Sequence, residues 1–254
     1  HRIKLGYNPY CFTSISLKRY FENYFTLIPI YTDLVKTIKS KKISNKFYFL
    51  EDNISGESSK NKIKKVINFL NKDKSDYIFI SAPENVAWLL NIRGYDSPTS
   101  PIPNSNLLLT KEKQVFLIVE KNKTTKLLSE KKLKQNQIID PKYILDFFDK
   151  LKKGTILIDE KTCSLYFEKV IKKRLKIKKK EDPIYILKSI KNNIEIKNMI
   201  NAHVIDGVAL TKFIYWIKNL KKMNITEVDA QNKLEQIRRM NSKYLFPSFN
   251  TIAG

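Results

Sequence analysis

With 254 residues and 42% apolar side chains, the chain can build one large cored domain or two smaller ones, which excludes general disorder. Its net charge of +23 comes from 48 Lys and Arg against 25 Asp and Glu, yet only six of those cations are Arg. Lys spread among Asn and Ile describes a solvated surface and an A/T-rich codon bias, whereas base reading uses clustered Arg, so no nucleic-acid partner is expected.

No apolar run approaches the roughly 20 residues that cross a bilayer, and His1-Arg2-Ile3-Lys4 lacks the apolar core of a signal peptide. The expectation is a cytoplasmic protein with no membrane partner. Cys11 and Cys163 stand far apart, outside any CxxC, and read as reduced thiols. The first residue is not Met and Gly254 follows a strand-like run, so the chain is expected to be a piece of a longer one.

In chain order, Gly6-Tyr7-Asn8-Pro9-Tyr10 reads as a turn, and Ser16 as the N-cap of a short helix reaching about Phe25. A short strand follows at Leu27–Ile30, with Pro29 favouring an edge. A short helix is expected over Asp33–Ile38, a strand over Phe47–Leu50, and a loop over Ser55–Ser59. Ile63, Val66, Ile67 and Leu70 recur at spacings of three and four, so Ser59–Leu70 is a helix with one buried face. Tyr77–Ile80 is a buried strand, and Pro83 opens a helix to Leu90 where its missing N–H costs nothing. Leu107–Thr110 and Gln114–Val119 form a hairpin around Lys111-Glu112-Lys113. Helices at Ser129–Leu133, Tyr143–Leu151 and Thr162–Leu175 alternate with strands at Ile138–Asp140, Thr155–Asp159 and Lys176–Lys178. After Asp182-Pro183, Ser189 is expected to cap a long helix striped by Met199, Ala202, Asp206, Ala209, Phe213, Trp216 and Leu220. Thr226–Asp229 caps a further helix toward Tyr244, and Ser248–Ile252 reads as a strand. The alternation is that of an α/β protein with a mixed sheet flanked by helices.

Chemistry-bearing motifs are sparse. There is no phosphate loop, dinucleotide fingerprint, HExxH or GxSxG, and only His1 and His203 are histidines. His203 and Asp206 share a helical face, as a helix-surface pair or as a pair orienting a neighbour. Glu57-Ser58-Ser59 reads as an N-cap, with anion binding as the alternative. Arg93, in a tight turn after an apolar segment, reads as a carboxylate or carbonyl clamp.

Trp88-Leu89-Leu90-Asn91-Ile92-Arg93-Gly94-Tyr95-Asp96 resembles the WLLNIRGSD signature of the Xaa-Pro aminopeptidases. Further segments follow in order: Gly6–Pro9 is similar to GYDP, Thr32–Val35 to NLVD, Ser55–Ser59 to AGESS, Lys188–Asn192 to KAIKN, and Ala202–Gly207 to AHxxDG. Thr226-Glu227 and Ser248–Gly254 resemble the TE and SFDTISG elements. Lys36, Tyr95 and Asn250 depart from that pattern. The resemblance implies creatinase-type N-terminal domains followed by the opening helices and first strand of a pita-bread α+β catalytic domain. It places the end of the first N-terminal domain at 1–74, the second at 75–182 and the start of the catalytic domain at 183–254. It further implies a homodimer acting on Xaa-Pro peptides through hydroxide activated by two Mn²⁺, with all metal ligands beyond Gly254 and no catalytic residue in this stretch. Residues 1–254 alone are then expected to be inactive. Arg93, His203, Phe249 and Thr251 are the substrate-cleft candidates. Competing readings are a non-catalytic creatinase-fold binding module and a Lys-rich nucleic-acid-binding protein.

Overall fold

The computed structural model describes residues 2–32, 46–220 and 225–252. The expected helix over Asp33–Ile38 lies outside them, as do most of the NLVD-like segment and Ala253-Gly254.

Strand β1 (Ile3–Tyr7) pairs in parallel with β2 (Phe25–Pro29), and α1 (Ser14–Tyr20) connects them. The α1 cap is Thr13 rather than Ser16. Thr13 Oγ1 accepts from the Ser16 N–H, and Ser16 Oγ accepts from the Thr13 N–H, because two hydroxyls three residues apart can satisfy each other's backbone donors. Next come β3 (Tyr48–Phe49), α2 (Asp52–Ser55) and α3 (Ser59–Asp73). The expected loop over Ser55–Ser59 therefore opens on a helical turn, closed by Gly56 at φ 71°, and Ser58 then caps α3 as a plain N-cap.

The main sheet has the order β10-β9-β4-β6-β7-β8. It contains β4 (Tyr77–Ile80), β6 (Asn106–Thr110), β7 (Val115–Ile118), β8 (Ile138–Ile139), β9 (Thr155–Ile158) and β10 (Lys176–Lys179). Antiparallel pairing of β4 with β6 and of β6 with β7 joins parallel pairs on either side, so the sheet is mixed. A two-stranded ribbon pairs β3 with β5 (Ile92–Arg93), which follows α4 (Pro83–Leu90). The remaining helices are α5 (Thr125–Ser129), α6 (Ile144–Asp149), α7 (Leu165–Lys172), α8 (Ile184–Ser189), α9 (Asn193–Lys218) and α10 (Glu227–Arg239).

Strand alternation sorts the core into two layers. Ile78 and Ile80 join Val66, Ile67 and Leu70 of α3 and Val86, Leu89 and Leu90 of α4 on one face. Tyr77 and Phe79 join Ile144 and Phe148 of α6 and Val170 and Ile171 of α7 on the other. α3 thus shares its core with β4. Every residue of β4 is buried, as expected for a central strand covered on both faces. At one edge, β10 carries Lys176, Lys178 and Lys179, a charged row that blocks further strand pairing. Asp73, closing α3, pairs with Lys178 at 2.7 Å and with Lys180, and so ties that edge to the helix.

Several expected boundaries move. The helix expected at Ser129–Leu133 is α5, four residues earlier. Asn192, not Ser189, caps the long helix, with Glu195 completing a capping box, and Ser189 ends α8. Ser248–Ile252 is not a strand, since no described strand pairs with its N–H and C=O groups. Of the expected stripe, Ala209 alone is fully buried, Phe213, Trp216 and Leu220 are half-buried, and Met199, Ala202 and Asp206 are exposed, as are Ile200, Val204, Val208 and Tyr215 outside it.

Candidate functional site

The last carbonyls of a helix lack intrahelical donors, and the end of α4 meets this with side chains. Asn91 takes the left-handed conformation at φ 53°, and its N–H reaches Ala87 O. Arg93 Nη1 donates to Ala87 O at 3.0 Å and to Ile92 O at 2.9 Å. Lys62 Nζ donates to Trp88 O at 3.1 Å and to Asn91 Oδ1 at 2.6 Å, and stands 4.5 Å from the centre of the Trp88 ring. Two cations therefore sit at the negative end of α4. Burial holds the Arg93 guanidinium below its usual range and lowers the 2%-exposed Lys62 ammonium to about 8.

The Asn91 carboxamide extends this cluster. Its Nδ2 donates to Glu57 O at 2.8 Å and Ser55 Oγ at 3.1 Å, and lies 3.3 Å from Asp52 Oδ1. From the far side, Asn192 Nδ2 donates to Ser55 O at 2.9 Å while its Oδ1 accepts from the Glu195 N–H, the first step of α9. Glu195 in turn lies within electrostatic reach of both Lys62 and Arg93. Segments 55–59, 88–96 and 188–192, distant in sequence, thus converge on one polar joint between α4, α2 and α9.

A second joint lies nearby. Asn85 Nδ2 donates to Asp182 Oδ2 at 2.8 Å and Lys188 Nζ donates to Asn85 Oδ1 at 2.6 Å, tying α4 to α8. Asp182 Oδ1 accepts from the Ile184 N–H, and Asp159 Oδ2 from the Asp182 N–H. Burial pushes the Asp182 carboxyl up to about 6 against the pull of those donors, with Asp159 adding to the rise. Tyr185 donates to Glu84 at 3.1 Å.

The four cleft candidates are not gathered in one place. Arg93 is a carbonyl clamp inside the first joint. His203 is exposed on α9, with Nδ1 2.8 Å from Met199 O. It does not pair with Asp206, which instead takes both Arg238 Nε and Nη2, because a guanidinium fork offers a carboxylate two bonds where imidazole offers one. Phe249 is 68% exposed and Thr251 is exposed. From that segment it is Phe246 that meets the signature loop, edge-on to Tyr95 at 6.0 Å, and Tyr95 stacks on Tyr48 at 5.4 Å. A groove of about 940 Å³ between α9 and α10, walled by Ile54, Ile205, Ala209, Ile237, Tyr244 and Leu245, includes none of the four.

Among the described residues no group of three or more His, Cys, Asp or Glu side chains could hold a metal ion, so no ligand is assigned here. Both cysteines are free, and burial pushes the Cys163 thiol up to about 12. Sequence reasoning passed over Lys62, although it falls four residues before Val66 on the apolar face of α3. It also passed over the cap role of Asn91, which an Asn after an apolar helix end signals.

The profile of the Creatinase/Prolidase N-terminal domain family matches residues 39–195, and the chain belongs to that family. Among curated relatives, Xaa-Pro aminopeptidase 1 of Dictyostelium discoideum is 32% identical over 216 residues, covering 83% of this chain and 34% of its own length. A probable Xaa-Pro aminopeptidase P of Fusarium vanettenii is 29% identical over 248 residues, covering 90% of this chain and 40% of its own. The fold is that of the X-prolyl aminopeptidase of Caenorhabditis elegans, described as a cytosolic enzyme with a di-nuclear active site. That likeness has a TM-score of 0.85 at 21% identity, over all of this chain and 44% of that one. The chain thus spans less than half the length of each of these relatives.

Proposed function

We propose that this chain is a fragment of a proline-specific metalloaminopeptidase, which removes the first residue from Xaa-Pro peptides. The observation that carries the reading is the joint at Asn91, Ser55 and Asn192, because it explains why motifs shared with those enzymes occur at three distant places in the sequence. The activities named for the relatives support it. In this reading the whole protein is a cytoplasmic homodimer working with two Mn²⁺, and its metal ligands lie outside the described residues. The di-nuclear and cytosolic description of the nematode enzyme supports the metal pair and the compartment. No helix among the described residues is long and apolar enough to cross a membrane.

Residues 183–254 serve as the opening of the catalytic domain. The exposed apolar residues of α9 support this, since a face rich in Met, Ile and Val is stable in water only when covered. Of the divisions at 74 and 182, the shared core of α3 and β4 favours moving the first toward residue 46. The test is peptidase assay of the full-length protein and of residues 1–254 with Mn²⁺. Release of the first residue of Arg-Pro-Pro by the full-length protein only is the expected result. No cleavage by the full-length protein would refute the reading, and cleavage by residues 1–254 would refute the placement of the catalytic groups.

A further inference from the structure

We propose that the contact between Gly56 and Asn192 is the bearing that sets the attitude of α9, and with it the catalytic part, against the mixed-sheet unit. Gly56 and Asn192 would then be positioning residues for the peptidase reaction. The inference rests on the aminopeptidase reading and adds to it the place where the two parts are aligned.

Gly56 closes α2 at φ 71°, and the Asn192 carboxamide lies where its side chain would be. A Cβ there would stand 2.7 Å from Asn192 Cγ and 2.8 Å from Nδ2, and closer still to Oδ1. Asn192 has no simple way to yield. Its Oδ1 caps α9 through the Glu195 N–H, its Nδ2 is held by Ser55 O, and its own N–H is bonded to Glu195 Oε2. Its C=O accepts from the Ile196 N–H at 2.9 Å, so all four polar functions of Asn192 are engaged, with the carboxamide shared between helix start and α2. A further tie, Asn198 Nδ2 to Ile54 O at 3.1 Å, lies on the same side of α9 and keeps α2 along the helix.

An added methyl at Gly56 carries left-handed strain of about 1 kcal/mol, common to the single and double variants, and displacement of the start of α9 by about 1 Å restores ordinary contact with Asn192; misplacement on that scale is enough to cost about 100-fold in rate when it reaches reacting groups. α9 has 26 residues and is about 39 Å long, so a small tilt at its first turn grows along its length.

The test combines Gly56→Ala with Asn192→Gly, which empties the space and keeps a tolerated cap residue. In the full-length protein, below the unfolding temperature of every variant, Gly56→Ala lowers kcat/KM for Arg-Pro-Pro by about 10- to 100-fold. The double variant recovers at least half of that loss on a logarithmic scale. A spin-label pair at Glu112→Cys and Lys212→Cys, with Cys11 and any other reactive cysteine of the full-length protein replaced by Ser, reports the geometry independently of activity. Gly56→Ala shifts its distance distribution, and Asn192→Gly in the same chain returns it. An unshifted distribution in Gly56→Ala, or a double variant no better than Gly56→Ala in either measurement, overturns the proposal. A full-length protein that cleaves nothing refutes the aminopeptidase reading alone, and the spin-label distances then decide the bearing.

Discussion

Asn91 offers the sharpest test of the first joint. Replacing it with Ala removes a side chain bonded to Lys62, Ser55 and Glu57 and leaves in the left-handed region, at φ 53°, a residue that tolerates it less well than Asn. The backbone effect is about 1 kcal/mol. Leaving the buried Lys62 ammonium with Trp88 O as its remaining acceptor costs about 2 kcal/mol, and the hydrogen bonds lost to Ser55 Oγ and Glu57 O, which stay bonded to each other, about 1 kcal/mol each. The total is about 5 kcal/mol, a large share of the roughly 5–15 kcal/mol that holds a domain folded. Asn91→Gly escapes the backbone effect and loses about 4 kcal/mol. Equilibrium urea unfolding followed by far-ultraviolet circular dichroism measures both, with a midpoint lowered by about 2 M for Ala at an ordinary slope. An Asn91→Gly protein within about 1 kcal/mol of the wild type would refute the account, because the hub would then contribute little beyond its backbone conformation.

Other substitutions probe neighbouring contacts. Burial alone would raise the Asp73 carboxyl, but hydrogen bonds from Lys178, Lys180 and Ser75 hold it well below the carboxylate range. Its contribution is present above about pH 4 and lost as pH falls through the lower, folded value. Asp73→Asn therefore destabilises by about 2 kcal/mol at pH 7, and the gap to wild type narrows in acid unfolding curves below pH 4. Asp182 has the opposite sign. Its folded carboxyl titrates near 6, so the stability it adds is complete below about pH 4 and lost as pH rises to 6, by about 3 kcal/mol. Thermal unfolding between pH 4 and 7 shows that decline in the wild type, and an equal decline in Asp182→Asn would exclude Asp182 as its source. Arg93→Met leaves one carbonyl in the last turn of α4, that of Ala87, and the Ile92 carbonyl of β5 without their cation and lowers stability by about 2 kcal/mol. A full-length Arg93→Met protein with reduced kcat in the proposed peptidase assay and unchanged stability would instead mark Arg93 as a group acting on substrate.

The sheet was legible wherever burial imposes an unbroken apolar run. Tyr77–Ile80 and Thr155–Ile158 lie between two helical layers, so period and composition leave no alternative. The hairpin of β6 and β7 was legible from its short polar turn for a similarly local reason. Elements held by distant partners were not. The four-residue α2 owes its place to Asn91 and Asn192, neither of which is near it in sequence. The choice between Ser189 and Asn192 as the cap of α9 turned on Glu195, which reaches back to Asn192 alone. Likewise His203 and Asp206 have the right spacing for a pair, but α10 brings Arg238 to Asp206 across 32 positions. The joint itself was invisible as a unit, although its three segments were each recognisable, since proximity of 55, 91 and 192 is a property of the folded chain.

The lysines of β10 have a consequence for how this protein tolerates its surroundings. A second strand could add to that edge only by desolvating Lys176 and disturbing the pairs that Lys179 makes with Glu160 and Glu168, and the repulsion between two such edges is screened within about 3 Å at molar salt. Polyanions, lysine acylation or concentrated salt would each quiet that repulsion without altering a single core contact. Self-association through this edge should therefore respond to ionic conditions long before folding stability does, and a storage buffer of low ionic strength should keep the protein dispersed.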